Sequence, residues 1–378
     1  MLKIRTVLLL WHRWFGLLAA IWLLALALTG STLVFYDELD RLLNPELRRV
    51  EAKAQRLPLS QVIANAAGPG RYASFIDLPN RPGDSLKAYL AARDGADTTV
   101  AAGTHVFINP HTGEALGERI FGAFRLDRRH LMDFIYQLHL NLHLGGWMQT
   151  ALGVLALCWL VDHLAGAILS FPNLAKWKRS FLIRSGAKGH KLTFDLHRAG
   201  GLWLAPITLT LAVSGAYFNL SGWFEQAVSV VSPVTPTYLA AAPTLPAPVY
   251  AMPVSIDAAI RIAESQAGGA AVDLLRIDPA KGLYELFLFD PRDPADYGGR
   301  RITLDGVSGA LRSDFHGARG SAGDVFLAWQ YPLHSGKALG WPGRISILAA
   351  GLAVLLLCVT GLLISLRKHR CRAAGRAD

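Results

Sequence analysis

Charged residues and cysteines are both scarce in this chain of 378 residues. Asp, Glu, Lys and Arg make up 17% of it and hydrophobic residues 52%, whereas about a quarter of a soluble domain is charged. The composition therefore argues against an ordinary soluble fold. Its three cysteines, of which Cys158 and Cys358 lie within apolar runs, are too few for a disulfide framework or a Cys-rich zinc site.

Several sequence motifs are missing as well. The chain contains no Gly-rich dinucleotide-binding motif after a strand and no P-loop, and its segments between and beside the apolar stretches on the basic side are no longer than about 25 residues, so we expect no nicotinamide or flavin domain within it. It also lacks G-x-S-x-G and H-E-x-x-H, which leaves hydrolysis without a candidate residue. If the protein handles electrons, we expect them to come from a membrane quinol or a partner protein.

Four apolar stretches are long enough to cross a bilayer, which takes about 20 helical residues. They run approximately over Leu8–Tyr36, Leu138–Phe171, Leu196–Leu220 and Leu339–Leu366. The first resembles a signal peptide, but His12 and Arg13 interrupt its start, and its apolar run is about twice the usual length. We therefore predict that it is retained as an anchor.

The net charge of +10 would suggest nucleic acid binding on a soluble protein. Here the basic residues collect in three short segments beside the spans, which indicates cytoplasmic sides and excludes a nucleic-acid face. These residues are Lys3, Arg5, Arg13; Lys176, Lys178, Arg179, Arg184, Lys188, Lys191; and Arg367, Lys368, Arg370, Arg372, Arg376. The connections 36–135 and 221–335 hold 13 basic and 13 acidic, and 8 basic and 12 acidic residues. We therefore predict a membrane protein with both termini cytoplasmic and two long extracytoplasmic segments.

The chain also contains an internal repeat. Both His12 and His197 begin the pattern H-R-x-x-G-L, and the same displacement of 185 residues carries Thr29-Gly30 onto Ser214-Gly215. A second displacement, of 195 or 196 residues, relates Leu59-Ser60 to Val254-Ser255, Thr112-Gly113 to Ser308-Gly309 and Leu138-His139 to Leu333-His334. The sequence thus predicts two copies of a span, an outer domain and a second span.

These patterns predict an α-helical integral membrane protein with four transmembrane helices from an internal duplication and two α+β extracytoplasmic domains. Each domain begins with an amphipathic helix, at Leu59–Ala67 and Val254–Ser265, and continues with short strands. The strands are expected at Ser85–Ala91, His105–Asn109, Leu283–Asp290 and Arg301–Leu304. The predicted segments are helix 1 (1–36), first domain (37–135), helix 2 (136–171), basic loop (172–194), helix 3 (195–221), second domain with a Pro-rich linker (222–332), helix 4 (333–366) and basic tail (367–378).

Four histidines occupy repeated positions at the ends of the spans. His12 and His197 lie at the cytoplasmic ends of spans one and three, and His139 and His334 open spans two and four at the outer face. Two imidazoles facing across a helical bundle are the axial ligands of a b-type haem, with Nε2 on iron and Nδ1–H bonded elsewhere. We predict two haems b per chain, with these four residues as cofactor-binding and metal ligands, and no separate catalytic residue. A glycine four residues after His12 and after His197 leaves room for a flat macrocycle.

Alternatives to this assignment remain open. A single histidine at a span end is more often an interfacial residue than a ligand. His143 lies one helical turn from His139, and His163 lies near the depth of His12, so each competes for a ligand position. Asp162 is a charge within an apolar span, either a partner for a cation or a proton-handling group. Zinc or copper is less favoured, because no cysteine or carboxylate cluster accompanies the histidines.

The other candidates have simpler roles. Arg13 and Arg198 are expected at the lipid headgroups, with the binding of haem propionates as the alternative. The remaining outer histidines are expected at the surface: His105, His111, His130 and His316.

Several motifs together resemble the PepSY-associated transmembrane helix family over essentially the whole chain. They are Leu138-His139 with Leu144-Gly145, the run from Asp195 to Trp203, Tyr331-Pro332-Leu333-His334-Ser335-Gly336, and Gly340-Trp341-Pro342-Gly343-Arg344. Within this family the chain is similar to inner-membrane ferric-siderophore reductases. That resemblance implies a four-helix haem protein whose two PepSY-type domains lie in the periplasm and which reduces Fe(III) in a siderophore, with His12, His139, His197 and His334 at the matching positions. His163 is a departure from the family pattern.

The expected function is therefore electron transfer from the His12–His197 haem to the His139–His334 haem, and from there to a ferric siderophore, with a hydroxamate type suspected. The alternatives are a non-redox PepSY scaffold or regulatory protein, and a siderophore or metal transporter component. Alternating-access transporters typically contain discontinuous transmembrane helices, and the four predicted spans carry no sign of such breaks, which argues against the transporter.

Overall fold

The computed structural model describes residues 2–53, 56–79, 81–93, 103–290, 293, 295 and 299–374. The chain forms two compact units. The helical unit comprises Met1–Val34, Ile135–Gln226 and Gln330–Asp378, and the sheet unit comprises Phe35–Phe134 and Ala227–Trp329. Residues 375–378 of the predicted basic tail, among them Arg376, lie outside the described residues.

Both units contain helices, and the sheet unit contains all eight named strands. The helices are α1 (Leu2–Leu33), α2 (Tyr36–Leu43), α3 (Pro45–Arg48), α4 (Leu59–Ala67), α5 (Leu131–Asn141), α6 (Gly146–Ser170), α7 (Gly189–Asn219), α8 (Ser221–Ser229), α9 (Tyr238–Ala241), α10 (Ile256–Gln266), α11 (Ala322–Ala328), α12 (Gln330–Ser335) and α13 (Gly340–Ala374). The strands are β1 (Arg71–Asp77), β2 (Leu86–Ala92), β3 (Thr104–Ile108), β4 (Ala115–Ile120), β5 (Val272–Asp278), β6 (Leu283–Leu288), β7 (Arg300–Asp305) and β8 (Leu311–His316).

Among the residues that the structure describes, four helices are long and apolar enough to cross a membrane, at Ile4–Leu33, Gly146–Ser170, Gly189–Asn219 and Lys337–Arg367. Four spans were predicted from the sequence, and this number is confirmed. α1 packs against α6 and α13, and α7 packs against the same two helices. The helices α1 and α7, which carry the H-R-x-x-G-L repeat, are therefore diagonal to each other in a four-helix arrangement.

The second span does not begin at Leu138 as predicted. The chain leaves the helix after Asn141, and Leu142 and His143 adopt left-handed φ angles of 53° and 57° before α6 starts at Gly146. A left-handed backbone is unfavourable for residues with a side chain and ends a right-handed helix. His139 therefore lies on the short helix α5, and the expectation that His139 and His143 share one helical face is wrong.

The fourth span is preceded by a similar break, which places His334 on the short helix α12. Gly336 has a φ of 75°, and a Cβ built there would lie 2.5 Å from the carbonyl oxygen of Gly343. The two backbones can approach this closely only because neither residue has a side chain. In addition, Arg344 donates to the carbonyl oxygen of Val34 at 2.7 Å, which satisfies an acceptor just beyond the end of α1.

The sheet unit is built around one antiparallel sheet of eight strands in the order β4-β3-β2-β1-β5-β6-β7-β8. Two separate domains, each a helix with a small antiparallel sheet, were expected. Each half does form four antiparallel strands, but β1 and β5 pair through Phe75–Arg276, Ile76–Leu275 and Asp77–Leu274. This pairing hides one edge of each half from solvent and makes a single continuous sheet.

A shared core and a cap hold the two halves together. α4 and α10 pack into one apolar cluster with strands from both halves, including Ile76, Leu275 and Leu286, which are fully buried. α4 has no side-chain cap of its own, because its cap position is Pro58. Instead Asp257 of α10 accepts from the backbone N–H groups of Leu59 and Ser60 at 2.7 and 3.0 Å.

Candidate functional site

The first pair of histidines joins the diagonal helices. The ring centroids of His12 on α1 and His197 on α7 are 6.1 Å apart, and the ring planes are inclined by 58°. Nδ1 of His12 lies 3.0 and 3.1 Å from the two carboxylate oxygens of Asp162 on α6. Nδ1 of His197 lies 3.1 Å from the carbonyl oxygen of Leu357 and 3.1 Å from the hydroxyl oxygen of Thr360, both on α13. All four long helices therefore contribute to this pair.

The second pair lies on the two short helices, His139 on α5 and His334 on α12. Their ring centroids are 6.2 Å apart, with an angle of 68° between the planes. Nδ1 of His139 lies 3.0 Å from the hydroxyl oxygen of Thr29, and Nδ1 of His334 lies 2.7 Å from that of Ser214. The ring of Phe218 packs edge-on against His334 at 5.3 Å. The structure thus brings together both pairs that the repeat predicted.

The hydrogen bonds of Nδ1 select the same tautomer in all four histidines. Thr29 and Ser214 donate their hydroxyl protons to backbone carbonyl oxygens one turn earlier, at 2.7 Å each, so their oxygens accept from the histidines. The carbonyl of Leu357 and the carboxylate of Asp162 are acceptors by nature. Each Nδ1 therefore carries the proton, and each Nε2 carries a lone pair. Among the described residues, none forms a hydrogen bond to any of these four Nε2 atoms.

The ring separations suit a metal ion between the two rings. A metal–imidazole bond is about 2 Å long, and the nitrogen of an imidazole lies about 1.1 Å from the ring centre, so a linear pair has centroids about 6.2 Å apart. The observed values are 6.1 and 6.2 Å. Within the described part of the chain, no group of three or more His, Cys, Asp or Glu residues is arranged to hold a metal ion by itself. A pair of imidazoles without further protein ligands is the set of residues that would hold a haem iron.

Glycines lie next to the imidazole rings in both histidine pairs. A Cβ at Gly30 would lie 2.8 Å from Cε1 of His139, one at Gly361 would lie 3.1 Å from Cε1 of His197, and one at Gly166 would lie 3.4 Å from Cε1 of His12. Gly30 and Gly361 therefore make room for the imidazoles of His139 and His197, whereas a Cβ at Gly166 would be in ordinary contact with His12. By contrast, a Cβ at Gly16 or Gly201, four residues after His12 and His197, would meet no atom of the described residues within 4 Å. The open space beside these two glycines fits the prediction of room for a flat group.

The two pairs are far apart along the helical unit. His12 and Thr29, the partner of His139, are 17 residues apart on α1, and His197 and Ser214 have the same spacing on α7. At about 1.5 Å per residue this spacing is about 25 Å along the helix axis. The pairs therefore occupy two levels near the two ends of the long helices.

His163, the competitor for the first pair, has partners for both ring nitrogens. Nδ1 donates to the carbonyl oxygen of Trp159 at 2.7 Å, and Nε2 lies 2.8 Å from the hydroxyl of Thr208. The residue that lies opposite His197 is His12, and Asp162 bonds to His12. Arg198 donates to the backbone carbonyls of Arg179 and Leu182 and to the buried carboxylate of Asp195, so it binds the 172–194 loop.

Sequence reasoning missed most of the residues that position the four rings. Thr29 and Ser214 occupy equivalent places in the repeat, and this equivalence is the signal that could have identified them. Leu357 acts through its backbone, and Thr360 is one of many hydroxyl residues within a span. Neither carries a sequence signal.

The sheet unit holds a second buried polar group, on the face of the sheet opposite α4. Arg119 is fully buried, and its guanidinium donates to Asp40 at 2.7 Å and lies 3.0 Å from Asp133. Tyr36 donates to Asp133. Burial and the negative charge of Asp133 raise the pKa of Tyr36 well above its ordinary value. This network ties the segment after α1 to the beginning of α5.

His105 lies beside this network and is only 2% exposed, so its expected surface position is wrong. His130 and His316 are also buried. The ring of His105 packs against Tyr89 at 4.2 Å and Phe121 at 4.8 Å. Burial, together with the positive charges of Lys87 and Arg119, lowers its pKa to about 2. Although Asp133 lies 4.0 Å away, His105 is therefore neutral.

One protein-family model matches most of the chain. The family model described as the PepSY-associated TM region matches residues 9–368. This range includes all of α6 and α7, most of α1 and α13, and both halves of the sheet. No curated protein matches the chain.

Proposed function

The chain belongs to the PepSY-associated transmembrane family, and on that basis we propose that it is a di-haem b-type reductase of the bacterial inner membrane. Its proposed reaction is the reduction of Fe(III) in siderophore complexes in the periplasm, with release of Fe(II). The observation that carries the proposal is the pairing of four histidines, each of which has Nδ1 bonded within the protein and Nε2 left as a lone pair.

The residues divide into ligands and positioning groups. His12 and His197 would hold one haem, and His139 and His334 a second. Bound haem supplies a reversible one-electron Fe(III)/Fe(II) couple at each pair. Asp162, Thr360, Thr29 and Ser214 hold the imidazoles in the tautomer that leaves Nε2 for the metal.

The proposed orientation follows from the charges. The basic segments at the N-terminus, in the 172–194 loop and in the tail are cytoplasmic, and both halves of the sheet unit are periplasmic. This orientation places the His139–His334 pair toward the periplasm and the His12–His197 pair toward the cytoplasm. The matching halves of the sheet and the equal spacing of His12 to Thr29 and His197 to Ser214 support an origin by internal duplication.

The proposed substrate is a ferric siderophore of the hydroxamate type, which is the type that the resemblance to the ferrioxamine reductase FoxB implies. Hydroxamate oxygens are hard donors that favour Fe(III), so reduction to Fe(II) weakens the complex and releases the metal. The reducing equivalents would come from a membrane quinol or from a membrane or cytoplasmic partner protein. The alternative functions are a PepSY scaffold or regulatory protein, and a siderophore or metal transporter component.

A reoxidation assay tests the proposal. The purified protein in detergent is reduced with dithionite, the excess reductant is removed, and a ferric hydroxamate siderophore is added without oxygen. We expect the reduced bands to disappear and a ferrous chelator in the solution to become coloured. The matched control is the same siderophore loaded with Ga(III), which has the charge of Fe(III) but is not reduced. Persistence of the reduced bands with the ferric form would contradict the reductase and favour the scaffold.

A further inference from the structure

The four histidines differ in the acceptor that each Nδ1–H meets. His139 and His334 donate to the hydroxyl oxygens of Thr29 and Ser214, and His197 donates to a carbonyl and a hydroxyl. These acceptors are neutral. His12 alone donates to a carboxylate, that of Asp162, and lies within 3.1 Å of both of its oxygens.

The carboxylate of Asp162 is well shielded from solvent. Its side chain is 10% exposed, and within the described part of the chain His12 is its one ion-pair partner. A negative charge in such surroundings interacts more strongly than the same charge in water. A hydrogen bond to an ionised acceptor is also about twice as strong as a bond between neutral groups.

The consequence for a ligand is an increase in electron donation. Partial transfer of the Nδ1 proton toward the carboxylate makes the imidazole a more basic ligand at Nε2. A more basic ligand, with a negative charge nearby, favours the higher charge of Fe(III) over Fe(II). The second pair lacks this contribution, because Thr29 and Ser214 are neutral.

We propose that Asp162 is a positioning residue that sets the potential of the His12–His197 site below that of the His139–His334 site. This inference rests on the proposed function, since it needs haem at both pairs. The two pairs are otherwise similar, and the charge of Asp162 distinguishes them. The His12–His197 site, on the side of the basic segments, is the stronger reductant of the two. Asp162 has no counterpart in the repeat, because the residue 195 positions later is Leu357.

The test is an equilibrium redox titration of the purified holoprotein, followed by the haem α-band and resolved into two one-electron waves. Asp162→Asn keeps the shape and the acceptor oxygen but removes the charge. We expect the midpoint potential of the lower wave to rise by at least about 59 mV, which for one electron corresponds to a tenfold change in the Fe(III)/Fe(II) equilibrium constant. The upper wave should stay in place. Thr29→Val is the matched control at the second pair and should leave the lower wave unchanged.

Two outcomes would overturn the inference: an Asn variant with both haems and an unmoved lower wave, or a shift confined to the upper wave. If the Asn variant loses one haem, Asp162→Glu decides, because it keeps the charge. If the lower wave of the Glu variant keeps its low midpoint potential, the role of the charge is supported. If its midpoint potential rises to that of the upper wave, the role of the charge is contradicted. A wild-type protein without haem would instead refute the proposed function.

Discussion

Gly30 is the position where the smallest change should most strongly disturb a single histidine. Gly30 lies on α1 next to Thr29, and a Cβ built there lies 2.8 Å from Cε1 of His139. Ordinary contacts of this kind begin at 3.4 Å, so Gly30→Ala requires the ring to move by about 0.6 Å. The ring has little freedom to move, because Thr29 binds its Nδ1 at 3.0 Å and His334 lies on another side.

The expected magnitude follows from the energy of overpacking. Extra atoms in a tightly packed site typically cost about 1–3 kcal/mol, which is about 5- to 150-fold in affinity. We therefore expect Gly30→Ala to weaken haem binding at the His139–His334 pair by that factor and to leave the other pair occupied. The internal repeat provides a matched control. Gly215 is the counterpart of Gly30, and a Cβ there would meet only Cβ of Ala156, at 4.0 Å.

The assay is the haem content and the reduced-minus-oxidised spectrum of both variants, purified side by side. Gly30→Ala should lose about half of its haem or show an altered second component, whereas Gly215→Ala should match the wild type. Equal haem content and identical spectra in the two variants would refute the reasoning, because the contact with His139 would then have no consequence.

Two further predictions concern the sheet unit. Replacing Arg119 by Leu removes the nearest cation from the buried carboxylates of Asp40 and Asp133, leaves Asp40 only the more distant Arg48 at 3.6 Å, and should destabilise the protein by about 3–5 kcal/mol. By contrast, Arg128→Ala, at a side chain that is 59% exposed, should change stability by less than about 1 kcal/mol. Thermal unfolding in detergent compares them, and equal losses would contradict the network. His105→Phe should make the stability of the protein less sensitive to acid. In the wild type the pKa of His105 is about 2 in the folded state and about 6.5 in the unfolded state, so only the unfolded state takes up a proton as the pH drops below 6.5. This proton uptake should lower the stability of the wild type by about 2 kcal/mol at pH 5. If the stability lost between pH 7 and pH 5 is the same in the wild type and in the variant, the prediction is contradicted.

The sequence was most informative where a pattern repeats. Apolar length predicted the four spans, and α4 begins and ends at the predicted residues, Leu59 and Ala67. α10 begins at Ile256 instead of Val254, because the side chain of Ser255 caps it by accepting from the N–H of Ala258. The repeat also selected the four histidines that the fold places in pairs. Each of these patterns is local or depends on a fixed spacing, so a single sequence can reveal it.

Other features depend on contacts that have no local pattern. The edge strands β4 and β8 and the joining strands β1 and β5 were not predicted, although β1 and β5 create the continuous sheet. The helix break at Leu142 and His143 was missed because neither residue favours a left-handed backbone. His105 looked like a surface residue because burial of a neutral histidine beside Arg119 is set by the opposite strands and not by its neighbours in sequence.

The most direct test of the account is the number of haems bound by each chain. A pyridine haemochrome assay on protein purified after expression with added haem precursor gives this ratio, and a reduced-minus-oxidised spectrum identifies the haem type. We expect two haems b per chain in the wild type. We expect one in His12→Ala and one in His139→Ala, and two in His143→Ala, because His143 lies outside the helix that carries His139. A wild-type protein with no band near 560 nm, despite an adequate haem supply, would contradict the central claim.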